Sequence, residues 1–410
     1  MIERTDGRSS PLHVALLSSS CTPTDGWGAM TYRFCQHLAA RHDVAVSLFV
    51  PEDAVIPPEL SRFAGRSALP PYTTTFARAR LPLLWGYLSR TPPLPREVDI
   101  LHAMVEFPYG IVACRMARRR GTPVVLSAQG TYAVAPFGRL PDRWLFQSAL
   151  RHASLVTAPS AYTRAQLLTN MPSLASSRLR LIHNPVDFER FQTPLPAPTL
   201  RRQWQGESRV VLSVGALKRR KGFDLLIRAM PMLPKTCPPV HLVIAGGGNP
   251  DELRQLAASL GLSDRVHLVG SVCEQELTAW FQHCDVYAHT PRVIGQNFEG
   301  FGLVLLEAAS CGKPIVAARS GGVPDAVLPG ESALMVAEED PAGTAQAIAR
   351  ILTEPSLARR LGGRGRAHAH AHRWEWYTEV MVLLYKELQS KAGSRSTDSP
   401  SPTAPQHEHR

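Results

Sequence analysis

The chain has 410 residues, with 45 Lys+Arg against 34 Asp+Glu for a formal net charge of +11, and 44% of its residues are hydrophobic. That composition excludes a disordered or fibrous chain, and the length predicts two domains with separate cores rather than one small binding module. The charge is uneven: residues 1–185 hold 20 Arg, no Lys and 11 acidic residues, a net +9, which leaves +2 for the rest. Such a surplus suits nucleic acid, an anionic membrane or a phosphorylated small molecule, and equally a plain Arg-rich solvated surface. Seven Cys form no CxxC pair, the usage of a reducing compartment. The first twenty residues hold only the short apolar run Val14–Leu17, and no stretch approaches the roughly 18–20 apolar residues of a membrane span, so a cytosolic location is expected.

Short apolar runs alternate with helical patterns, which predicts parallel sheets covered by helices. The first series is strand Leu12–Leu17, helix Met30–Arg41 and strand Val44–Val50, then strands at Asp99–His102, Thr122–Ser127, Leu155–Ala158 and Leu179–His183. A Pro-rich and aromatic excursion between Glu52 and Pro95, with Trp85 and Tyr87, fits neither period and is expected to pack around the first domain or shape a pocket. Pro185, Pro194, Pro196 and Pro198 mark a linker. The second series predicts strands at Arg209–Val214, Val240–Ala245, Val266–Val269, Val286–His289 and Pro314–Ala317, with helices at Phe223–Met230, Asp251–Leu260, Gln275–His283, Leu303–Ser310 and Pro341–Leu352. Last come an apolar-striped helix, Trp374–Gln389, and a Ser/Pro/Thr/His-rich tail, Lys391–Arg410, expected to be disordered. The divisions expected are therefore 1–185, 186–373, 374–390 and 391–410.

The segment Glu299-Gly300-Phe301-Gly302-Leu303 runs into a predicted helix that carries Glu307. Its glycines admit close backbone approach, and the helix start offers free N–H groups to an anion. Two carboxylates flanking an anion site repel phosphate but suit sugar hydroxyls, a combination that asks for a nucleotide sugar. In the loop Gly215–Gly222, Lys218, Arg219, Arg220 and Lys221 are consecutive. They form either a solvated face or, beside the Glu299 loop, an anion site. Gly26 and Gly28 open another strand-to-helix turn, and Gln129-Gly130-Thr131-Tyr132 is either a polar turn or a substrate contact.

These motifs resemble glycosyltransferase family 4, the retaining enzymes of GT-B fold, in the two Glu seven residues apart (Glu299 and Glu307), Arg219-Arg220-Lys221-Gly222, Val243–Gly248, Gly312–Ala317, Gly321–Pro324 and the junction His183–Asp187. The resemblance implies an α/β chain of two doubly wound Rossmann-like domains facing a cleft. It implies an N-terminal acceptor-binding domain, with Gln129, Gly130 and Tyr132 toward the acceptor, and a C-terminal domain binding a nucleoside diphosphate sugar. Catalysis falls to Lys221 and Glu299; donor binding falls to Gly26, Gly28, Arg219, Ser271, Val272, Gly300, Phe301, Gly302, Leu303 and Glu307. The terminal helix is expected to cross back to the first domain.

Two positions depart from the family pattern. Ala216 stands where an Arg is usual, so Lys218 or Arg219 is expected to substitute, and Gln129 replaces a usual His with an amide that cannot titrate. No cofactor or metal is expected: His368, His370 and His372 lack a third ligand with metal-site spacing and read as structural or solvated. The reaction implied is retaining transfer of a hexose to a glycan or polyprenol-linked acceptor in envelope or exopolysaccharide assembly, by same-face attack without a covalent nucleophile. An anionic membrane surface is a further partner for the Arg-rich half, placing the protein peripherally on the inner face; nucleic acid is not expected. The rival readings are a GT-B sugar-nucleotide epimerase, for which Asp25 and Glu106 are the available acid/base carboxylates, and a non-catalytic nucleotide-sugar-binding protein, which has no need of both Glu299 and Glu307.

Overall fold

A computed structural model describes residues 10–23, 26–65, 68–76, 86–87, 91–204 and 208–397. Trp85, Asp25 and the tail beyond residue 397 lie outside these.

Two six-stranded sheets form, each wholly parallel. The first orders as β2-β1-β3-β4-β5-β6, from β1 (Leu12–Leu17), β2 (Val44–Phe49), β3 (Ile100–Ala103), β4 (Val124–Ser127), β5 (Leu155–Ala158) and β6 (Leu179–Leu181). The second orders as β12-β11-β10-β7-β8-β9, from β7 (Arg209–Val214), β8 (Val240–Ala245), β9 (Val266–Gly270), β10 (Val286–His289), β11 (Ile315–Ala318) and β12 (Ala333–Val336). Every residue of β3, β4, β5, β10 and β11 is buried. Helices cover both faces, which is why these strands read as unbroken apolar runs instead of alternating ones. Each sheet has one apolar core on either face. In both sheets the order reverses beside the first strand of the series, and the strand ends there form the crevice where α/β proteins place ligands.

The excursion packs around the first domain. Leu69, Phe76 and Tyr87 enter its core, and the Tyr109 hydroxyl donates to Pro70 O at 3.0 Å. The final helix runs over Trp374–Thr397, past the point where the composition predicts disorder. Ion pairing extends it on the exposed side, where Lys391 Nζ meets Glu387 Oε1 at 2.5 Å. Its apolar stripe, Trp374, Tyr377, Met381 and Tyr385, closes the core of the first sheet against Phe34 and Leu38. The Tyr385 hydroxyl meets His102 Nδ1 at 2.6 Å, and burial lowers that imidazole to about 3, so it is neutral. The chain crosses between domains at His183-Asn184-Pro185 and returns at His372-Arg373. The two crossings touch, with Val186 N–H donating to His372 O at 2.9 Å. No described helix is long and apolar enough to cross a membrane.

Candidate active site

The cleft closes where the loop Phe298–Gly302 of the second domain meets the end of β4 in the first. Thr131 Oγ1–H donates to Phe298 O and Phe298 N–H donates back to Thr131 Oγ1, both at 2.9 Å. Between them Gly130, at φ +69°, lies against Gly300 so closely that a Cβ on Gly130 would stand 2.6 Å from Gly300 Cα. Neither position accepts a side chain without parting the domains.

A cavity of about 240 Å³ opens at this seam, lined by Gln129, Thr131, Tyr132 and Asn184 on one side and by Arg220, Lys221 and Phe298–Val304 on the other. On its floor Lys221 Nζ and Arg220 Nη1 both reach Glu299 Oε2, at 2.5 and 3.0 Å. His289 Nε2 stands 3.5 Å from the same oxygen without making a hydrogen bond. Burial pushes the Glu299 carboxyl up, but Lys221, His289 and Arg220 outweigh it and hold it well below the usual carboxylate range. Burial lowers the His289 imidazole, against the opposite pull of Glu299. The floor therefore carries one ionised carboxylate under two cations, and the helix Leu303–Ser310 starts beside it with its free N–H groups.

The cationic loop is held from behind. A Cβ on Gly222, at φ +71°, would lie 1.8 Å from Thr290 O, so only glycine lets the loop seat on the end of β10. Arg292, 6% exposed, donates twice to Arg219 O and binds Asp224 Oδ1 at 2.5 Å. In the short 3₁₀ turn Arg219–Lys221, this arrangement sends Arg220 and Lys221 into the cavity. Lys218 and Arg219 instead line a separate cavity with Asp224 and Glu252. Arg220, not the Lys218 or Arg219 expected to stand in for the missing Arg, is the cation that lines this cavity beside Lys221, because the turn sends Lys218 and Arg219 to one side and Arg220 and Lys221 to the other.

The remaining expected residues are spread around this floor. Gly300, Gly302 and Leu303 line the cavity; Phe301 lines it too, yet its ring is buried in the second core and tilts against His183, anchoring the loop. Glu307 lies in the field of Arg190, Glu274 and Asp187, and burial raises its carboxyl. Arg33 of the first domain crosses to that group, 2.8 Å from Asp187. Gly26 and Gly28 begin the Arg33 helix and stand outside the cavity, as do exposed Ser271 and half-buried Val272 after β9.

Gln129 and Tyr132 face the cavity from the first domain, where Asn184 Nδ2–H donates to Gln129 Oε1 at 3.0 Å and so ties the loop to the interdomain crossing. Sequence reasoning missed Arg220, Asn184 and His289 as site residues. Arg220 was masked by its cationic neighbours, Asn184 was read only as part of the interdomain junction, and His289 ends a strand with no local signal. Of the two carboxylates an epimerase would need, Asp25 lies outside the described residues. Glu106 is fully buried, with Oε1 accepting Gln129 N–H at 3.1 Å, and does not line the cavity. Among the described residues no three His, Cys, Asp or Glu side chains form a metal-binding group.

Comparison with known proteins agrees with this architecture. The family model described as Glycosyltransferase Family 4 matches residues 24–190, and that described as Glycosyl transferases group 1 matches residues 200–368. The chain is 35% identical over 265 residues to a GDP-mannose-dependent alpha-(1-6)-phosphatidylinositol monomannoside mannosyltransferase of Mycolicibacterium smegmatis, covering 61% of this chain and 66% of that one. It is 32% identical over 286 residues to a D-inositol 3-phosphate glycosyltransferase of Frankia alni, covering 65% and 69%. The matched region thus spans about two thirds of the length of these curated relatives. The crystal structure of Anabaena HepE in complex with UDP and glucose superposes with a TM-score of 0.67 at 20% identity, over 95% of this chain and 100% of that one. The chain belongs to glycosyltransferase family 4, the group 1 glycosyltransferases, and has their two-domain GT-B fold.

Proposed function

We propose that the protein is a retaining glycosyltransferase that moves a hexose from a nucleoside diphosphate sugar to a glycan or polyprenol-linked acceptor, in envelope or exopolysaccharide assembly. The observation that carries this reading is the Glu299 carboxylate held under Lys221 and Arg220 at the start of a helix, on the floor of the interdomain cavity. Breaking the bond between the anomeric carbon and a diphosphate leaves a cationic sugar and an anionic leaving group. Lys221, Arg220 and the helix N–H groups stand ready to hold that negative charge, at roughly 3–4 kcal/mol for a well-aimed donor. This gives the leaving group's charge to side chains rather than to a divalent ion.

A carboxylate neutralised by two cations is a poor nucleophile, which supports same-face attack without a glycosyl–enzyme intermediate. In that step the acceptor hydroxyl forms the new bond as the old one breaks, and its proton passes to the departing phosphate oxygen. Arg33, Asp187 and Glu307 form the polar wall suited to the nucleoside end, while Gln129 and Tyr132 face the acceptor. The donor class has support in the names of similar proteins, one GDP-mannose-dependent and one solved with UDP and glucose. A lipid-linked acceptor would bring the protein to the inner membrane surface.

Thermal shift against a panel of nucleoside diphosphates tests the donor site, because a ligand bound by the folded state raises Tm by mass action. One nucleotide is expected to shift Tm, and the matching sugar donor to give product of unchanged anomeric configuration by NMR. Product of inverted configuration would refute the mechanism.

A further inference from the structure

Four of the eleven large apolar side chains left exposed among the described residues, Tyr132, Leu140, Trp144 and Ile294, belong to segments that meet at the cleft. Trp144 is 65% and Leu140 57% exposed. Both belong to the segment that continues from the acceptor-facing residues Gln129–Tyr132 into the helix Asp142–His152. Beneath them, Phe137 and Phe107 pack edge-on against Phe146, filling the space into which they would otherwise turn. Gly138 abuts Gln296, in the second-domain turn Ile294–Asn297 just ahead of Phe298. Ile294 of that turn and Tyr132 of the cavity are each 38% exposed.

The charges alongside are all of one sign. Arg139 and Arg143 are exposed, and their side chains have no partner among the described residues. Asp142 between them is turned inward, its carboxylate accepting Phe76 N–H at 2.7 Å and the Thr75 hydroxyl at 2.5 Å. From residue 107 to 186 the sequence has ten Arg and only this one acid. The outer surface of the segment therefore offers an indole and a leucine flanked by free guanidinium groups, with no acid to repel an anion.

We propose that Arg139–Trp144 is a docking surface for an anionic lipid bilayer. This inference rests on the reading of the protein as a transferase with a lipid-linked acceptor, and it assigns the face by which that acceptor is met. Indole and leucine side chains settle at the boundary between headgroups and acyl chains, and arginines beside them bind lipid phosphates. A single-stranded nucleic acid would instead need a series of aromatic faces along a cationic groove, whereas one indole is present. With Leu140 and Trp144 seated, only the short helix Thr131–Val134 and the turn Ala135–Gly138 separate the docked segment along the chain from Gln129.

Co-sedimentation with vesicles of phosphatidylglycerol and phosphatidylcholine, against phosphatidylcholine alone, tests the surface at low and high salt. The full chain is expected to bind the anionic vesicles and to bind them less at high salt. Leu140→Ser/Trp144→Ser is expected to weaken binding about tenfold. Arg139→Ser/Arg143→Ser is expected to weaken it about tenfold at low salt and to flatten the salt dependence. Arg118→Ser/Arg119→Ser removes the same charge from a different surface and is expected to bind within about twofold of wild type. Equal loss in all three variants, or no binding by wild type, overturns the proposal. Each variant's Tm and its shift by nucleoside diphosphate serve as controls; if these hold while vesicle binding fails, the docking surface is wrong and the donor-site reading stands.

Discussion

The two walls of the cleft are each built around a buried glutamate, and they handle its charge in opposite ways. On the second-domain wall, Glu299 is ionised under Lys221 and Arg220. On the first-domain wall, burial pushes Glu106 up to about 8, with only its own amide and that of Gln129 pulling the other way, and its Oε2 has no partner. One wall is electrically prepared for a change of charge; the other is kept neutral and fixes the backbone of Gln129. That division suits a reaction in which the donor loses an anion and the acceptor contributes a hydroxyl.

The largest effects are expected on the charged wall. Glu299→Gln frees two cations from their anchor, and Lys221→Ala removes the nearer one. Each is expected to lower kcat by about 10²–10³-fold, measured with saturating donor. A loss under tenfold in both would deny this wall its catalytic role.

Glu106 tests the neutral wall through pH. In the folded protein it keeps its proton up to about pH 8, while its ordinary value is 4.5. Across that window the unfolded chain binds fewer protons than the folded one, so wild-type stability falls as pH rises from 4.5 to 8. Glu106→Gln has no such proton, so its stability relative to wild type is expected to grow by on the order of 2–4 kcal/mol from pH 5 to pH 8. A Tm difference that does not change with pH would show Glu106 to be charged like its counterpart.

Glu307→Gln is expected to weaken nucleoside diphosphate binding by about tenfold with little change in kcat, since it lies in the field of Arg190, Glu274 and Asp187 and does not line the cavity. Calorimetric titration reads this directly. The smallest effect falls outside the cavity. Lys218→Ala/Arg219→Ala is expected to change the rate by less than about threefold, against a much larger loss for Arg220→Ala. Equal losses would return the phosphate role to Arg219.

The strands were the most legible part of the sequence. A parallel strand buried on both faces needs apolar residues at every position, so β3, β4, β5, β10 and β11 stood out as runs without a period. The helices Tyr109–Ala117 and Asp142–His152 did not, because each starts just after a proline in an irregular turn and lacks a capping side chain. The edge strand β12 was missed because it lies at the edge with only Ala333 fully buried, so it has no unbroken buried run to mark it. In the site, Glu299 and Lys221 were legible because glycines and charges clustered locally around them. The choice between Arg219 and Arg220 was not, since it depends on how Arg292 grips one carbonyl from 73 residues away. Glu106 was noticed as a carboxylate near a strand end, but its isolation became clear only once the aromatic excursion had closed over it.

The final helix has a consequence for how the protein comes into being. Tyr385 and Met381 are among the most deeply buried side chains of the first domain, yet they are made after the whole second domain. During synthesis the first sheet must wait, with one apolar face open, while the whole second domain emerges and folds. The order of assembly is thus the reverse of the order of translation for that surface. Completion of the first domain becomes a signal that the second has already been delivered.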